Sequence, residues 1–418
     1  MIRDRFLKYV AIDTQSDAKS STIPSTKKQY DLANLLKEEL LSYGLNAFIS
    51  EYGYVYTVIK KNCEKTNGLK LGFIAHMDTS PDCSGKDVKP RIIKNYQGES
   101  IILNDEYQMD PNTYSDLNKV IGDDLIVTDG NTLLGADDKA GVAIIMQLAY
   151  ELTRPDNKIL HDDVYICFTP DEEIGRGADK FDHEFFLADF AYTFDGSEVS
   201  GIDYENFNAA SINVEFIGKS IHPGNSKNKL INASHLLMEF HNLLPIFLNP
   251  AYTEKYEGFN HLSEMNGTVE NANAHYIVRN HDKHLYLNQI KDFHKNAAFL
   301  NEKYGYNAVN VTDIESYLNM YEVLKNKLEI IELAHKSMKN IGLKPHNEAI
   351  RGGTDGARLT FDGLPCPNLG TGGFNFHGRF EFLSINQMQK ALLVALELLK
   401  ELHDINDSTI IKKLKRTF

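Results

Sequence analysis

Three apolar runs in this chain stop abruptly on side chains that bind cations. Leu69 to Ala75 gives way to His76-Met77-Asp78, Val164 to Thr169 to Pro170-Asp171-Glu172-Glu173, and Phe190 to Phe194 to Asp195-Gly196. Short apolar runs bounded by turn signals read as strands, and helix-like stretches lie between these. That alternation is the mark of an α/β fold, whose ligands bind in a crevice beyond the carboxyl ends of the strands. Any single acid at a strand end is most simply a solvated loop residue. Three at successive strand ends point to one crevice.

A fourth stretch, Leu133 to Gly141 (LLGADDKAG), sets two adjacent carboxylates on a small-residue turn at the head of an apolar, helix-like run. Taken alone, Asp137-Asp138 is as readily a helix N-cap as a charged site. Carboxylates in a cleft stay ionised only with a cation or dense hydrogen bonding, and the neighbouring strand ends favour the cation.

At 418 residues the chain exceeds one comfortable core, so two domains are expected. A formal charge of −14 argues against nucleic acid or an anionic membrane as partner. The four cysteines, Cys63, Cys83, Cys167 and Cys366, have no CxxC spacing, which indicates neither a thiolate zinc site nor a disulfide framework and suits a cytoplasmic protein. The charged N-terminus does not read as a signal peptide, and no window reaches transmembrane length.

In chain order, an amphipathic helix is expected over Lys27 to Tyr43, a strand near Tyr54 to Lys60, and a helix from Lys139 to Leu152. From Ala210 the character changes. Ser211 to Gly218 alternates Ile212, Val214 and Phe216 with polar residues, as a half-buried strand does. A helix (229–244), strands (261–270 and 274–280), a helix (283–304) and a strand (307–314) follow. This βαββαβ order is ferredoxin-like. The fold class is therefore α/β, with a body of residues 1–207 and 317–418 in which a ferredoxin-like α+β domain of residues 208–316 is inserted. The body resumes with one helix over 321–341 and ends in an amphipathic helix carrying Met388, Leu392, Leu396 and Leu399. The tail from Asp404 is expected to fray.

His76, Asp78, Asp137, Glu172, Glu173, Asp195 and His377 are the candidates for chemistry. Imidazole and carboxylate without thiolate suit zinc, manganese or cobalt in a hydrolytic site. Even with two of the seven otherwise employed, five donors exceed one tetrahedral zinc. Two ions about 3.5–4 Å apart, bridged by one carboxylate and one water, use all five. Asp137, mid-chain on its tight turn, is the natural bridge.

The pieces AHMDTSP, TLLGADDKAG, TPDEEIGRG, FDGSE, GKSIHPG, RGGTDGARLTFDGLPCPNL and TGGFNFHG span almost the whole chain in this order. They resemble those of the M20 metallopeptidase family, and in particular its tripeptide aminopeptidases. The resemblance implies that the body is a zinc-exopeptidase-like catalytic domain, a mixed sheet flanked by helices, and that the inserted domain is its lid. It implies two zinc ions, His76 and Asp195 on one, Glu173 and His377 on the other, and Asp137 between them. It makes Asp78 the carboxylate that orients His76, Glu172 the general base, and Asp137–Asp138 a cis peptide. His222, read alone, is a structural or solvated loop histidine; the resemblance makes it a substrate-binding residue that reaches the scissile carbonyl. Whether it does so within its own chain or from the second copy of a homodimer stays open.

Arg279 and Arg351 are candidates for the substrate carboxylate, because a guanidinium matches it bidentately, and domain salt bridges are the plainer alternative. Asp138, Asp171, Asp355 and Arg358 read as structural neighbours. The segment between Pro81 and Asp129 has no assigned role. The expected partners are short peptides, tripeptides above all. The rival activities are those of other M20 hydrolases (dipeptidase, carboxypeptidase or deacylase), with a non-catalytic peptide binder further off because Glu172 is present.

Overall fold

The structure, a computed structural model, describes residues 1–416. It contains two compact units, one formed by Met1–Tyr204, Glu322–Glu348 and the chain from Thr354 onward, the other by Glu205–Tyr321 with Ala349–Gly353.

The larger unit is built on a mixed eight-stranded sheet. Its strands run in the order Ala47–Ile49, Val55–Ile59, Val164–Thr169, Leu71–His76, Phe190–Gly196, Asn368–Gly370, Gly201–Asn206 and His346–Ile350. The three runs that end in cation-binding side chains are adjacent and parallel, Leu71–His76 lying between the other two. Their apolar character on every residue follows from burial of both faces. Phe73, Ile166, Phe168, Tyr192 and Phe194 share a core with the helices Ile2–Val10, Gln29–Ser42, Ala136–Thr153, Leu328–Asn340 and Ile385–His403. Ile74, Tyr165, Cys167 and Ala191, alternating with them, pack under Phe181, Phe186 and Leu359.

A second, four-stranded sheet in this unit answers what residues 82–128 do. Arg91–Ile93 and Leu125–Val127 pair with each other, and Leu125–Val127 pairs in turn with Phe382–Ser384, which forms a hairpin with Gly373–Phe374. The loop carrying His377 is the tip of that hairpin. The segment is therefore the mount on which a candidate site residue stands.

In the smaller unit, an antiparallel sheet has the order Phe259–Gly267, Asn271–Asn280, Asn208–Ile217, Val309–Tyr317, with the helices Ala233–Leu243 and Lys283–Tyr304 inserted as βαββαβ. Ile212, Val214 and Phe216 point into one core with Leu236, Phe240 and Phe293. The long helix starts where the Asp282 side chain accepts the Leu285 N–H, and it stops at left-handed Gly305.

Three expectations need correction. The helix expected over 321–341 is two helices, Tyr321–Leu324 and Leu328–Asn340, because Lys327 leaves helical backbone (φ −137°, ψ 34°). Residues 349–353 fall with the smaller unit, where Arg351 donates to the carbonyl oxygens of Lys255 and Glu257. The tail does not fray: Ser408–Leu414 is a helix capped by Asp407. Its apolar pair explains this, since Leu414 is buried in the main core and Ile411 packs against it. Lys415 and Arg416 then bond to Asp189 at 3.1 Å each.

Leu414→Ala is accordingly expected to lower the unfolding free energy in urea by ~2–5 kcal/mol, the cost of emptying a buried leucine site. A frayed tail gives a change within about 0.5 kcal/mol.

Candidate active site

Local chain geometry delivers each donor to the carboxyl ends of the central strands. His76 is the last residue of its strand and Asp195 the penultimate residue of its own, while Glu172 and Glu173 open a single 3₁₀ turn just past Thr169. Asp137 and Asp138 stand at the head of the Ala136–Thr153 helix with non-helical backbone, joined by a cis peptide bond. His377, at the hairpin tip, has φ 67°, a conformation that L side chains hold only under local constraint.

These side chains form two clusters of three with Asp137 in both. One is His76, Asp137 and Asp195; the other is Asp137, Glu173 and His377, and in each the donor atoms lie within 4.8 Å of one another. The two oxygens of Asp137 are divided between them. Oδ1 lies 2.8 Å from His76 Nε2, and Oδ2 lies 3.2 Å from His377 Nε2. His76 Nε2 is also 3.4 Å from Asp195 Oδ1, and His377 Nε2 is 2.9 Å from Glu173 Oε2. Glu172 belongs to neither cluster, its Oε2 being 4.0 Å from His76 Nε2.

Around the donors, three buried carboxylates hold the main chain that carries them. Asp78 accepts the N–H groups of Glu172 (3.0 Å) and Glu173 (3.2 Å), and its Oδ1 lies 3.4 Å from His76 Nδ1. Asp138 accepts the N–H of His76 at 3.2 Å and that of Gly141 at 3.1 Å, so it is a hydrogen-bonding neighbour. Glu381 accepts the N–H groups of Leu134, Gly135 and Asp137. Sequence inspection overlooked Glu381. The signal was there: an acid in the apolar strand-like stretch Phe380-Glu381-Phe382-Leu383 is out of pattern. Asp355 accepts Thr169 Oγ1 at 2.9 Å at the strand end before Glu172, and Arg358 pairs with Asp179 and bonds the Gly175 carbonyl, ordering the loop after Glu173. Asp171 accepts from Ser25 and Gln29, away from the donors.

Crowding sets the protonation chemistry. Burial pushes Glu173 up to about 8, helped by repulsion from Asp137, and Asp195 up to about 6. Burial also raises Glu172 well above the usual carboxylate range. Hydrogen bonds to Asp137 and Glu173 push His377 up to about 11. For His76 burial acts downward, but the field and hydrogen bonds of Asp195, Asp137 and Asp78 prevail and raise it. Asp137 lies below its ordinary value despite burial, because both imidazoles bond to it. A cluster this rich in buried acceptors calls for more positive charge than two imidazoles supply. The buried Oε1 of Glu173, which has no hydrogen-bond partner, is an acceptor aimed at nothing in the protein. Nitrogen and oxygen donors in two sets sharing one carboxylate fit a pair of divalent cations.

The three expected substrate-binding residues belong to the smaller unit. His222 is exposed, and its Nδ1 accepts the Gly224 N–H at 3.1 Å. Arg279 donates to the carbonyls of Ala210 and Val278 and lies over the Tyr317 ring. Arg351 spends three donors on Lys255, Glu257 and Thr253 and stacks on Phe207. Both guanidinium groups thus have structural tasks within that unit.

Comparison with known proteins agrees with the fold. The profile of peptidase family M20/M25/M40 matches residues 128–401. A peptidase T of Clostridium perfringens is 50% identical over 401 residues, covering 96% of this chain and 98% of its own. Peptidase T of Alkaliphilus oremlandii is 48% identical over 402 residues, covering 95% and 98%. Among solved structures, the aminopeptidase PepT of Bacillus cereus superposes with a TM-score of 0.75 at 18% identity, over 96% of this chain and 98% of its own. A dinuclear metal-binding M20 peptidase of Bacillus subtilis gives a TM-score of 0.64 at 13% identity, over 96% and 98%. The fold is that of metal-dependent exopeptidases. The chain belongs to the M20 metallopeptidase family, and its extended likeness within that family is to peptidase T.

Gly141 tests how closely the helix head is fitted. A Cβ there would lie 2.0 Å from the Phe194 carbonyl oxygen and 2.4 Å from Asp138 Oδ1. Gly141→Ala is expected to displace Asp138 and weaken divalent-metal binding by ~10-fold or more, read by titration against a competing chelator, as the loss of a ligand-supporting contact does.

Proposed function

We propose that this chain is a two-zinc aminopeptidase that removes the N-terminal residue from tripeptides. The division of Asp137's two oxygens between two donor clusters carries the reading. Bound there, two zinc ions supply the polarisation of the substrate carbonyl and the acidification of water that amide hydrolysis needs at neutral pH, a task manganese or cobalt also performs. His76 and Asp195 would hold one ion, Glu173 and His377 the other, with Asp137 between them.

The residues of the chain divide the remaining work. Asp78 fixes His76 through its Nδ1 side and, by holding the N–H groups of Glu172 and Glu173, keeps these adjacent glutamates pointing to different tasks. Glu173 enters a donor cluster. Glu172, half-buried and outside both, takes the proton of the attacking water on its carboxylate and returns it to the leaving amine nitrogen. His222 keeps Nδ1 as an acceptor toward Gly224, so in the neutral ring the proton sits on Nε2, free to donate to a substrate carbonyl oxygen. Arg279 and Arg351 each have five N–H donors, and those not spent within their own unit are the ones available to a peptide carboxylate.

The choice of tripeptides follows the peptidase T relatives and a Staphylococcus aureus tripeptidase of the same fold (TM-score 0.75, 22% identity, 97% of this chain and 98% of its own). A cytoplasmic site of action is supported by four free cysteines, two of them buried, and no helix among the described residues is long and apolar enough to cross a membrane. A homodimer belongs to the same reading.

A panel of Ala-Ala, Ala-Ala-Ala, Ala-Ala-Ala-Ala and N-acetylated peptides tests the activity. Ala-Ala-Ala alone should be cleaved rapidly, at its first bond, and chelation should abolish this until zinc is returned. Cleavage of only dipeptides or blocked peptides rejects the aminotripeptidase reading. Glu172→Gln is expected to lower kcat by at least ~10²–10⁴-fold while both ions remain bound. Retention of near-parent kcat rules Glu172 out as the base.

A further inference from the structure

Glu381 belongs to neither donor cluster, and the chemistry proposed above leaves it idle. Yet its side chain is 1% exposed and accepts three hydrogen bonds from a single turn. Oε2 receives the N–H groups of Leu134 at 2.7 Å and Gly135 at 2.8 Å, and Oε1 receives that of Asp137 at 3.0 Å. These are donors at the start of the Ala136–Thr153 helix, which has no cap from its own N-cap residue, a left-handed glycine. A carboxylate 244 positions downstream of Asp137 does the capping.

The placement has a second consequence. Glu381 lies four residues after His377, directly before the Phe382–Ser384 strand that anchors the hairpin. One carboxylate therefore joins the loop that presents His377 to the turn that presents Asp137. We propose that Glu381 is a positioning residue that fixes Asp137 against His377, so that Oδ1 and Oδ2 face different clusters. This rests on the two-ion reading above.

Glutamate is specifically suited to the position because both of its oxygens accept. In glutamine one becomes an NH₂ group, which would meet either Asp137 N–H or the Leu134 and Gly135 pair donor to donor. Aspartate keeps both acceptors but is one methylene shorter.

The test is zinc affinity and stoichiometry, measured by chelator competition on the full chain, for the parent, Glu381→Gln, Glu381→Asp and Asp189→Asn. Asp189 is a control of the same kind: buried, accepting main-chain N–H groups from Lys70 and Arg416, at the other end of the Phe190–Gly196 strand from Asp195. Glu381→Gln is expected to fold, to bind at least one ion ~10–100-fold more weakly, and to lose activity accordingly. Asp189→Asn is expected to melt earlier with unchanged ion affinity. Should Glu381→Gln not fold, Glu381→Asp carries the test, with a loss of ~10-fold expected. Parent-like affinity for two ions in either folded Glu381 variant overturns the assignment, and so does an equal loss in Asp189→Asn. A parent chain that binds no ion pair and cleaves no peptide removes the two-ion reading itself, whereas an active parent with unaltered variants removes only the role of Glu381.

Discussion

Like charge gathered at the carboxyl ends of three parallel strands in a mixed sheet is the constraint on which this structure turns. Asp137, Glu172, Glu173 and Asp195 are brought around two imidazoles in surroundings where each ionised carboxylate is costly. The protein answers with polar groups arranged in advance. Both imidazoles face Asp137, and the strands, the 3₁₀ turn and the helix head leave no donor to find its place after a cation arrives. Placement of this kind is what an open metal site requires, since the ligands are ordered during folding and not during binding.

A ring of buried carboxylates that touch only main-chain N–H groups and ring nitrogens surrounds the donors. Asp78, Asp138 and Glu381 tie the ends of distant elements together: strand end to 3₁₀ turn, strand end to helix head, hairpin to helix head. Each satisfies amide donors that strand ends and helix starts leave unpaired. The same bonds that make the fold continuous therefore set the separations among the donors, and stability and chemistry draw on one network.

Much of this could be read from residue order. The three apolar runs ending in acid or histidine are adjacent parallel strands, the βαββαβ stretch forms the antiparallel sheet order expected of it, and the seven candidate residues meet. Periodicity and strand-end chemistry are local signals, and they survive folding intact. What could not be read depended on partners far away in sequence. Glu381 acquires meaning only through amides some 244 residues earlier. Residues 82–128 matter through strand pairing with 382–384. The tail helix is held by Leu414 in a core assembled from the whole unit. Arg351 is tied within its unit by the carbonyls of Lys255 and Glu257, partners far away in sequence.

Zinc-edge anomalous diffraction from crystals grown with zinc addresses the central claim most directly. The account predicts two peaks about 3.5–4 Å apart, each within about 2.0–2.2 Å of a different oxygen of Asp137. A single peak, or two peaks of which one lies beyond reach of either Asp137 oxygen, contradicts it.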